Sequence, residues 1–365
     1  MTLAWATSTL RRLVECESPS GDVDLLDRCR DVLIEEFGAA GVALEVVPGP
    51  AGDHLVGTWG PLHDAPAMIL GHYDTVWPAG SFGHSPFTVD GDLATGPGVF
   101  DMKGGLVALL HAIRSSPAGP LHPVRIVLVA DEEVGSPSGA GVVERECAGA
   151  TAVLALESPL AEGALKVGRR GVARVRLEVT GRAAHAGLDA AAGISAIDEL
   201  VDQLATLRAA VPDSPDFSLN VGRISGGTRA NVVAAGASAE LGLRFVDDDA
   251  EAVLTRALDA LTLRRNGAGL TREVLSRRPA WEPTASKALA AHVLAVAAEV
   301  GEPGLHTAVS GGAGDANLTG ALGIPTVDGL GPRGHGAHAP DETVELASIL
   351  RRGELLAALL TRELP

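Results

Sequence analysis

The sequence predicts an α/β protein: a domain on a mainly parallel sheet, interrupted by a smaller α+β domain with an antiparallel sheet. Three observations predict it. The chain has 365 residues, more than one hydrophobic core usually serves. Up to about residue 165, short apolar strands alternate with amphipathic helices, as in a parallel sheet covered on both faces. From about residue 168 the strands alternate apolar and charged residues, the mark of a sheet with one wet face. The expected boundaries are 1–167 and 279–365 for the first domain and 168–278 for the insertion.

The elements follow in order. "LLDRCRDVLIEEF" carries apolar residues at helical spacing, and Gly38 and Gly41 follow as stop signals. "AMILG" reads as a buried strand, "KGGLVALLHAIRSS" as a helix, and "VRIVLVA" and "AVLALE" as two further strands. In the insertion, "GVARVRLEVTG" sets Val172, Val175, Leu177 and Val179 against Arg174, Arg176 and Glu178. "GISAIDELVDQLATLRAAV" places Ile194, Ile197, Leu200, Val201, Leu204 and Leu207 on one helical face. "FSLNVGRISG" and "ASAELGLRFV" are alternating strands, "EAVLTRALDALTLRR" a helix and "LTREVLS" a last strand. After residue 280 the first style returns and ends in "GLGPRGHGAHAPDE".

A net charge of −17 argues against nucleic-acid or anionic-membrane partners. An anionic substrate then requires a local basic pocket. The three cysteines, Cys16, Cys29 and Cys147, are widely spaced without a CxxC, so neither a disulfide framework nor a cysteine metal site is expected. With no signal-peptide pattern at the N-terminus and no membrane-spanning run, the expected location is cytoplasmic.

Working residues of α/β sheets collect beyond the carboxyl ends of the strands. There "AMILG" runs into His72 and Asp74, a loop delivers Asp101 before a helix, "VRIVLVA" runs into Asp131, Glu132 and Glu133, and "AVLALE" ends at Glu157. The late glycine-rich loop adds His335 and His338. So many carboxylates converging on one sheet edge, with few nearby Lys or Arg, need cations, because an unpaired buried carboxylate costs several kcal/mol or more. Two zinc ions suit mixed imidazole and carboxylate donors. Two dications balance three carboxylates and one hydroxide, with a shared aspartate bridging ions roughly 3.5 Å apart.

Each piece also has a plainer reading. His72 can be capped by its own turn, "DEE" can be a solvated strand end, and Asp101 can be a helix N-cap. Arg244 can occupy a wet strand face and His185 an exposed turn, and Arg333, near the late glycine-rich loop, can bind a carboxylate or lie at the surface.

The motifs "GHYDTV", "GPGVFDMKGG", "DEEVGS", "ESP" and "GAHAPDE", in this order, resemble the dizinc amidohydrolases that include glutamate carboxypeptidase, aminoacylase, acetylornithine deacetylase and succinyl-diaminopimelate desuccinylase. The likeness covers nearly the whole chain, and "TVWPAGSFGHSPF" and "RAAHAG" lean toward the glutamate carboxypeptidase branch. The resemblance implies that His72 and Glu157 hold one zinc, Glu133 and His338 the other, and that Asp101 bridges them. It makes Asp74 the carboxylate that orients His72, and Glu132 the general base. His185 becomes the histidine that stabilises the oxyanion in the partner subunit's site. Asn231 and Arg244 match positions that contact the substrate's carbonyl and carboxylate.

The implied protein is a homodimer through its inserted lid or dimerisation domain. It cleaves the amide bond next to a C-terminal amino acid of a small substrate with a free carboxylate, with zinc replaceable by cobalt or manganese. One departure bears on the substrate: glutamate carboxypeptidase has aspartate where Glu157 stands, and glutamate is usual in the deacetylase branches. An N-acyl-amino-acid deacylase is therefore the alternative, and a binding or scaffold dimer without catalysis a minor one. "GLGPRG" fits G-x-G-x-x-G, but it contains Pro332 and opens no helix, so it predicts no dinucleotide site. Neither G-x-S-x-G nor HExxH occurs.

Overall fold

The computed structural model describes residues 1–60 and 65–365. The chain divides into two compact units, Met1–Arg169 with Glu282–Pro365, and Arg170–Trp281.

The first unit holds a six-stranded sheet in the order Leu44–Val47, His54–Trp59, Val124–Val129, Ala67–His72, Ala152–Ala155 and Thr326–Val327. The last four strands run parallel, with Ile69 opposite both Ile126 and Leu154, and the first two join antiparallel. Every residue of Ala67–His72 is buried, which is why that strand reads as an unbroken apolar run. Helices Leu3–Glu15 and Val23–Ala39 start on side-chain caps, Thr2 accepting from Trp5 N and Asp22 from Leu25 N.

Helix Gly104–Ser115 is buried over ten successive residues and packs on helices Leu346–Leu360 and Leu3–Glu15. Two glycines permit its position. A Cβ on Gly105 would stand 2.5 Å from Leu156 O, and one on Gly353 would stand 2.4 Å from the His111 ring. Backbone contact at Gly105 thus presses the helix start against the chain just before Glu157.

The second unit is a four-stranded antiparallel sheet in the order Phe217–Gly226, Gly236–Phe245, Gly171–Thr180 and Gly269–Arg278. Helices Ala196–Ala210 and Asp248–Asp259 pack on it. Three expectations need correction. The dry face of Gly171–Thr180 is Ala173, Val175, Leu177 and Val179, while Val172 lies on the face of the arginines. The first helix begins at Ala196, so Ile194 is outside it, and Ile197 and Val201 are exposed while Glu199 and Gln203 are buried. The second helix ends at Asp259 instead of running to Arg265. Glu199 explains both helices: its carboxylate accepts the main-chain N–H groups of Arg264 and Arg265, each at 2.9 Å, and draws that segment off helical course. Among the described residues no helix is long and apolar enough to cross a membrane.

Candidate metal centre

His72 ends its strand with the side chain 1% exposed. Its Nδ1 lies 3.0 Å from Asp74 O, and because a carbonyl only accepts, Nδ1 carries a proton and Nε2 is the nitrogen turned to the acids. Nε2 faces Asp101 Oδ1 at 3.5 Å and Glu157 Oε1 at 3.9 Å. Asp74 is wholly buried and does more than orient His72: its carboxylate accepts Glu132 N and Glu133 N at 3.2 Å each, and the Ser20 hydroxyl at 2.6 Å.

Asp101 caps no helix, since Gly104–Ser115 starts beyond it. Its loop is pinned by Glu342, whose carboxylate accepts N–H groups from Gly98 (3.1 Å), Phe100 (2.9 Å) and Asp101 (3.0 Å), and from the Trp77 indole (2.9 Å). Of the two loop histidines, His338 reaches the acids. Its Nε2 lies 3.0 Å from Glu133 Oε2 and 3.5 Å from Asp101 Oδ2, whereas the His335 ring meets the Thr343 hydroxyl. His338 is held at φ +63, a left-handed conformation that costs a non-glycine residue about 1 kcal/mol or more. Arg333 is half-buried beside Gly163 and joins neither group.

Two groups of donor atoms result. Those of His72, Glu132 and Glu157 lie within 4.8 Å of one another, as do those of Asp101, Glu133 and His338. Asp101 joins them, one oxygen toward each histidine. The electrostatics are those of a cluster short of cations. Burial pushes the Glu157 carboxyl up to about 7, with the neighbouring Asp101 charge adding to it, and burial likewise raises Glu133. Hydrogen bonds to Asp101 and Glu133 raise His338 to about 10. Burial alone would lower His72, but Asp101 and Asp74 outweigh it and hold the imidazole well above its ordinary value. For Asp101, His338 and His72 outweigh burial and hold the carboxyl well below its usual range.

Protons thus stand where divalent ions would serve, and Asp101 Oδ1 is buried without a hydrogen-bond partner among the described residues. A mixed imidazole and carboxylate donor set with an orphaned bridging oxygen fits a pair of divalent metals. The expectation of few nearby cations is corrected in part. Arg169 and Lys166, both buried, supply positive charge near Glu157, and Arg169 Nη2 pairs with Asp328 at 3.0 Å.

The other predicted residues lie in the second unit. His185 is exposed, and its Nδ1 accepts from Gly187 N at 3.2 Å and Leu188 N at 3.1 Å, so Nε2 bears the proton. Ala186 N donates to Asn231 O at 3.0 Å, which sets His185 and Asn231 in neighbouring segments. Arg244 does not join them. It is exposed near the far end of Gly236–Phe245, eight residues from Gly236, about 27 Å along the strand.

A match to the model of peptidase family M20/M25/M40 covers residues 68–362, and so takes in every residue of the two donor groups. The chain belongs to that family. It is 26% identical to carboxypeptidase G2 of Pseudomonas sp. strain RS-16 over 363 residues, covering 96% of this chain and 88% of the relative. It is 29% identical to succinyl-diaminopimelate desuccinylase of Novosphingobium aromaticivorans over 360 residues, 93% of each chain. The crystal structure of an M20 family metallo-carboxypeptidase from Sulfolobus solfataricus superposes with a TM-score of 0.78 over 98% of both chains at 17% identity, a likeness of fold. The protein is a hydrolase of this family of metallopeptidases and amidohydrolases, and the family uses divalent metal.

Ser20, Glu342, Lys166 and Arg169 escaped the sequence reading. Glu342 had a signal, since it closes the motif "GAHAPDE". Ser20 had only a turn-rich context, "SPSGD", and its partner Asp74 lies 54 residues away.

Proposed function

We propose that the protein is a dizinc hydrolase that cleaves the amide bond next to a C-terminal amino acid of small peptides or N-acyl amino acids. The observation that carries this reading is the pair of donor groups joined through Asp101, the first of which includes Glu132. His72 and Glu157 would hold one ion and Glu133 and His338 the other, with Asp101 shared. When bound, the ions polarise the scissile carbonyl and lower the pKa of the attacking water.

The chain's own groups do the rest. Glu132, 8% exposed, takes a proton from that water and returns it to the leaving amine nitrogen. Asp74 holds the tautomer of His72 and the turn that carries Glu132. His185 presents Nε2–H to the carbonyl oxygen as charge develops there, and Asn231 contacts the same carbonyl. Arg244 is too far along its strand from His185 and Asn231 to meet the same small substrate within one subunit. It pairs with the substrate's carboxylate where His185 and Asn231 reach the site from the partner subunit. A homodimer through the second unit is supported by the edge strand Phe217–Gly226, with Ile224 63% exposed, and by exposed Ile197 and Val201 on the adjoining helix. Three free cysteines are consistent with the cytoplasm.

The test is Glu132→Ala, assayed on zinc-loaded enzyme against N-acetyl amino acids, dipeptides and N-acyl glutamates. Two zinc ions per chain with turnover abolished support the reading, and retained turnover overturns it. Preference for N-acetyl amino acids over the other two substrate types assigns the enzyme to the deacylases.

A further inference from the structure

The loop that carries Glu132 and Glu133 is tied at a second place, away from Asp74. Asp131 is wholly buried, and both its carboxylate oxygens are engaged by Ser138 and Gly139. It accepts the Ser138 hydroxyl at 2.6 Å, Ser138 N at 2.8 Å and Gly139 N at 3.2 Å. Behind Ser138 stands His54, also wholly buried, on a strand antiparallel to the one that feeds the loop. Ala130 N donates to His54 Nδ1 at 3.2 Å, so the ring proton sits on Nε2 and points at Ser138 Oγ, 2.9 Å away. With that lone pair taken, the hydroxyl hydrogen is directed at Asp131. The donor order is therefore fixed: His54 to Ser138 to Asp131.

Ser138 is the N-cap residue of helix Gly139–Glu146, yet its side chain makes no capping bond to that helix. Its hydroxyl faces back to the catalytic loop instead. The fit there is close, since a Cβ on Gly139 would stand 2.5 Å from Asp131 Oδ1 and 3.0 Å from Val129 Cβ. The bonds from Asp131 to Ser138 and Gly139 close residues 131–139 into a ring. Ser136 N donates across that ring to Asp131 O at 2.8 Å, and Gly135 and Ser136 turn the chain at φ +99 and +52. Glu132 and Glu133 lie on one arc of the ring, where Asp74 holds only their main-chain nitrogens. The Ser136 hydroxyl ties the far side of the ring to Asp315 at 2.5 Å, and the buried latch at Asp131 holds the end that leads directly into Glu132.

We propose that His54 and Ser138, acting through the Asp131 carboxylate, are positioning residues for the general base Glu132. The inference rests on the reading of Glu132 as the proton carrier. A shift of about 1 Å in a catalytic group can cost a hundred-fold in rate, so a loose latch lowers turnover without touching substrate or donor atoms.

Ser138→Ala, Ser138→Thr and His54→Leu, alone and combined with Glu132→Gln, test it on the zinc-loaded full chain. The readouts are kcat and KM on the best substrate of the panel above, zinc content by mass spectrometry, and the thermal midpoint. Ser138 is half-buried and its Ala variant keeps both main-chain donors to Asp131, so it folds even if His54→Leu does not. The expected result for Ser138→Ala is a ten- to hundred-fold fall in kcat, with KM within two-fold and two zinc ions retained. Ser138→Thr restores the rate, and Ser138→Ala adds nothing in the Glu132→Gln background.

A kcat per zinc-loaded molecule within two-fold of wild type overturns the proposal, whatever the thermal midpoint does. So does a fall that tracks zinc loss, or an equal fall in the Glu132→Gln background. Full activity of Glu132→Gln alone is a separate failure, that of the base assignment.

Discussion

Asp74 Oδ1 stands 3.2 Å from the main-chain nitrogen of Glu132. Asp74 therefore holds the His72 imidazole on one side, by its main-chain oxygen at 3.0 Å with the carboxylate 3.3 Å away, and the carboxylate fixes the turn bearing the proposed base on the other. An asparagine there has one side-chain oxygen for the three donors Ser20 Oγ, Glu132 N and Glu133 N, and turns an N–H₂ toward at least one of them. Asp74→Asn is expected to weaken metal binding and lower kcat by about ten- to a hundred-fold each, measured by chelator competition and steady-state kinetics. Ser20→Ala removes one donor only and gives a smaller loss of the same kind. Equal metal affinity in Asp74→Asn and wild type contradicts the role.

Glu342 holds the other side of the centre. Four N–H groups converge on one carboxylate that is 1% exposed, and three belong to the loop of Asp101. Glu342→Ala leaves them buried and unpaired, at a cost on the order of 3 kcal/mol. Urea unfolding of the metal-free protein should show that loss, with a smaller one for Glu342→Gln, which keeps one acceptor oxygen.

Most of the first unit was legible because both of its signals are local. A strand covered on both faces is apolar at every residue, as Ala67–His72 is, and a strand end that breaks into acids announces chemistry. What escaped was decided across space. Ser20 is 54 residues from Asp74, and His54 is 84 from Ser138, with no motif around either histidine or hydroxyl to join them. In the second unit the helical period was right, but the sequence could not tell which apolar stripe faces the sheet. Ile197 and Val201 extend the hydrophobic pattern onto the open face, while Glu199 and Gln203 go inward because Arg264, Arg265 and Thr262 satisfy them. Lys166 and Arg169 belong to no motif, yet both are buried, and Arg169 is paired with Asp328.

Metal uptake should release protons. In the metal-free chain the carboxylates around His338 raise its pKa to about 10, so its imidazole carries the extra proton at pH 7, and Asp101 and Asp74 shift His72 in the same direction. Metal binding takes the imidazole lone pairs and displaces those protons. Zinc titration at pH 7, in two buffers of different ionisation enthalpy, should show net proton release and an affinity that rises with pH. The same raised pKa gives the metal-free chain a stability that is full below the unfolded imidazole value of about 6.5 and is lost as pH rises through about 10. Zinc binding without proton release is incompatible with these ion pairs.

Glu199 sets an acid limit in the second unit. Its carboxylate is wholly buried, and burial alone would raise the pKa. The N–H groups of Arg264 and Arg265, the Gln203 amide and the Arg265 guanidinium outweigh burial and hold the pKa below the ordinary 4.5. A carboxyl with a depressed folded pKa stabilises the fold above its unfolded value and loses that contribution as pH falls through the folded one. Glu199→Gln, close in size and neutral at every pH, removes the pH-dependent part. The wild type should therefore be the more stable chain at pH 7, by about 1–3 kcal/mol for charge-assisted bonds of this kind, and the gap should shrink steadily below about pH 4.5. Denaturant unfolding of both full-length chains between pH 7 and pH 3 measures it, and a gap that stays constant across that range refutes the assignment of the acid limit to Glu199.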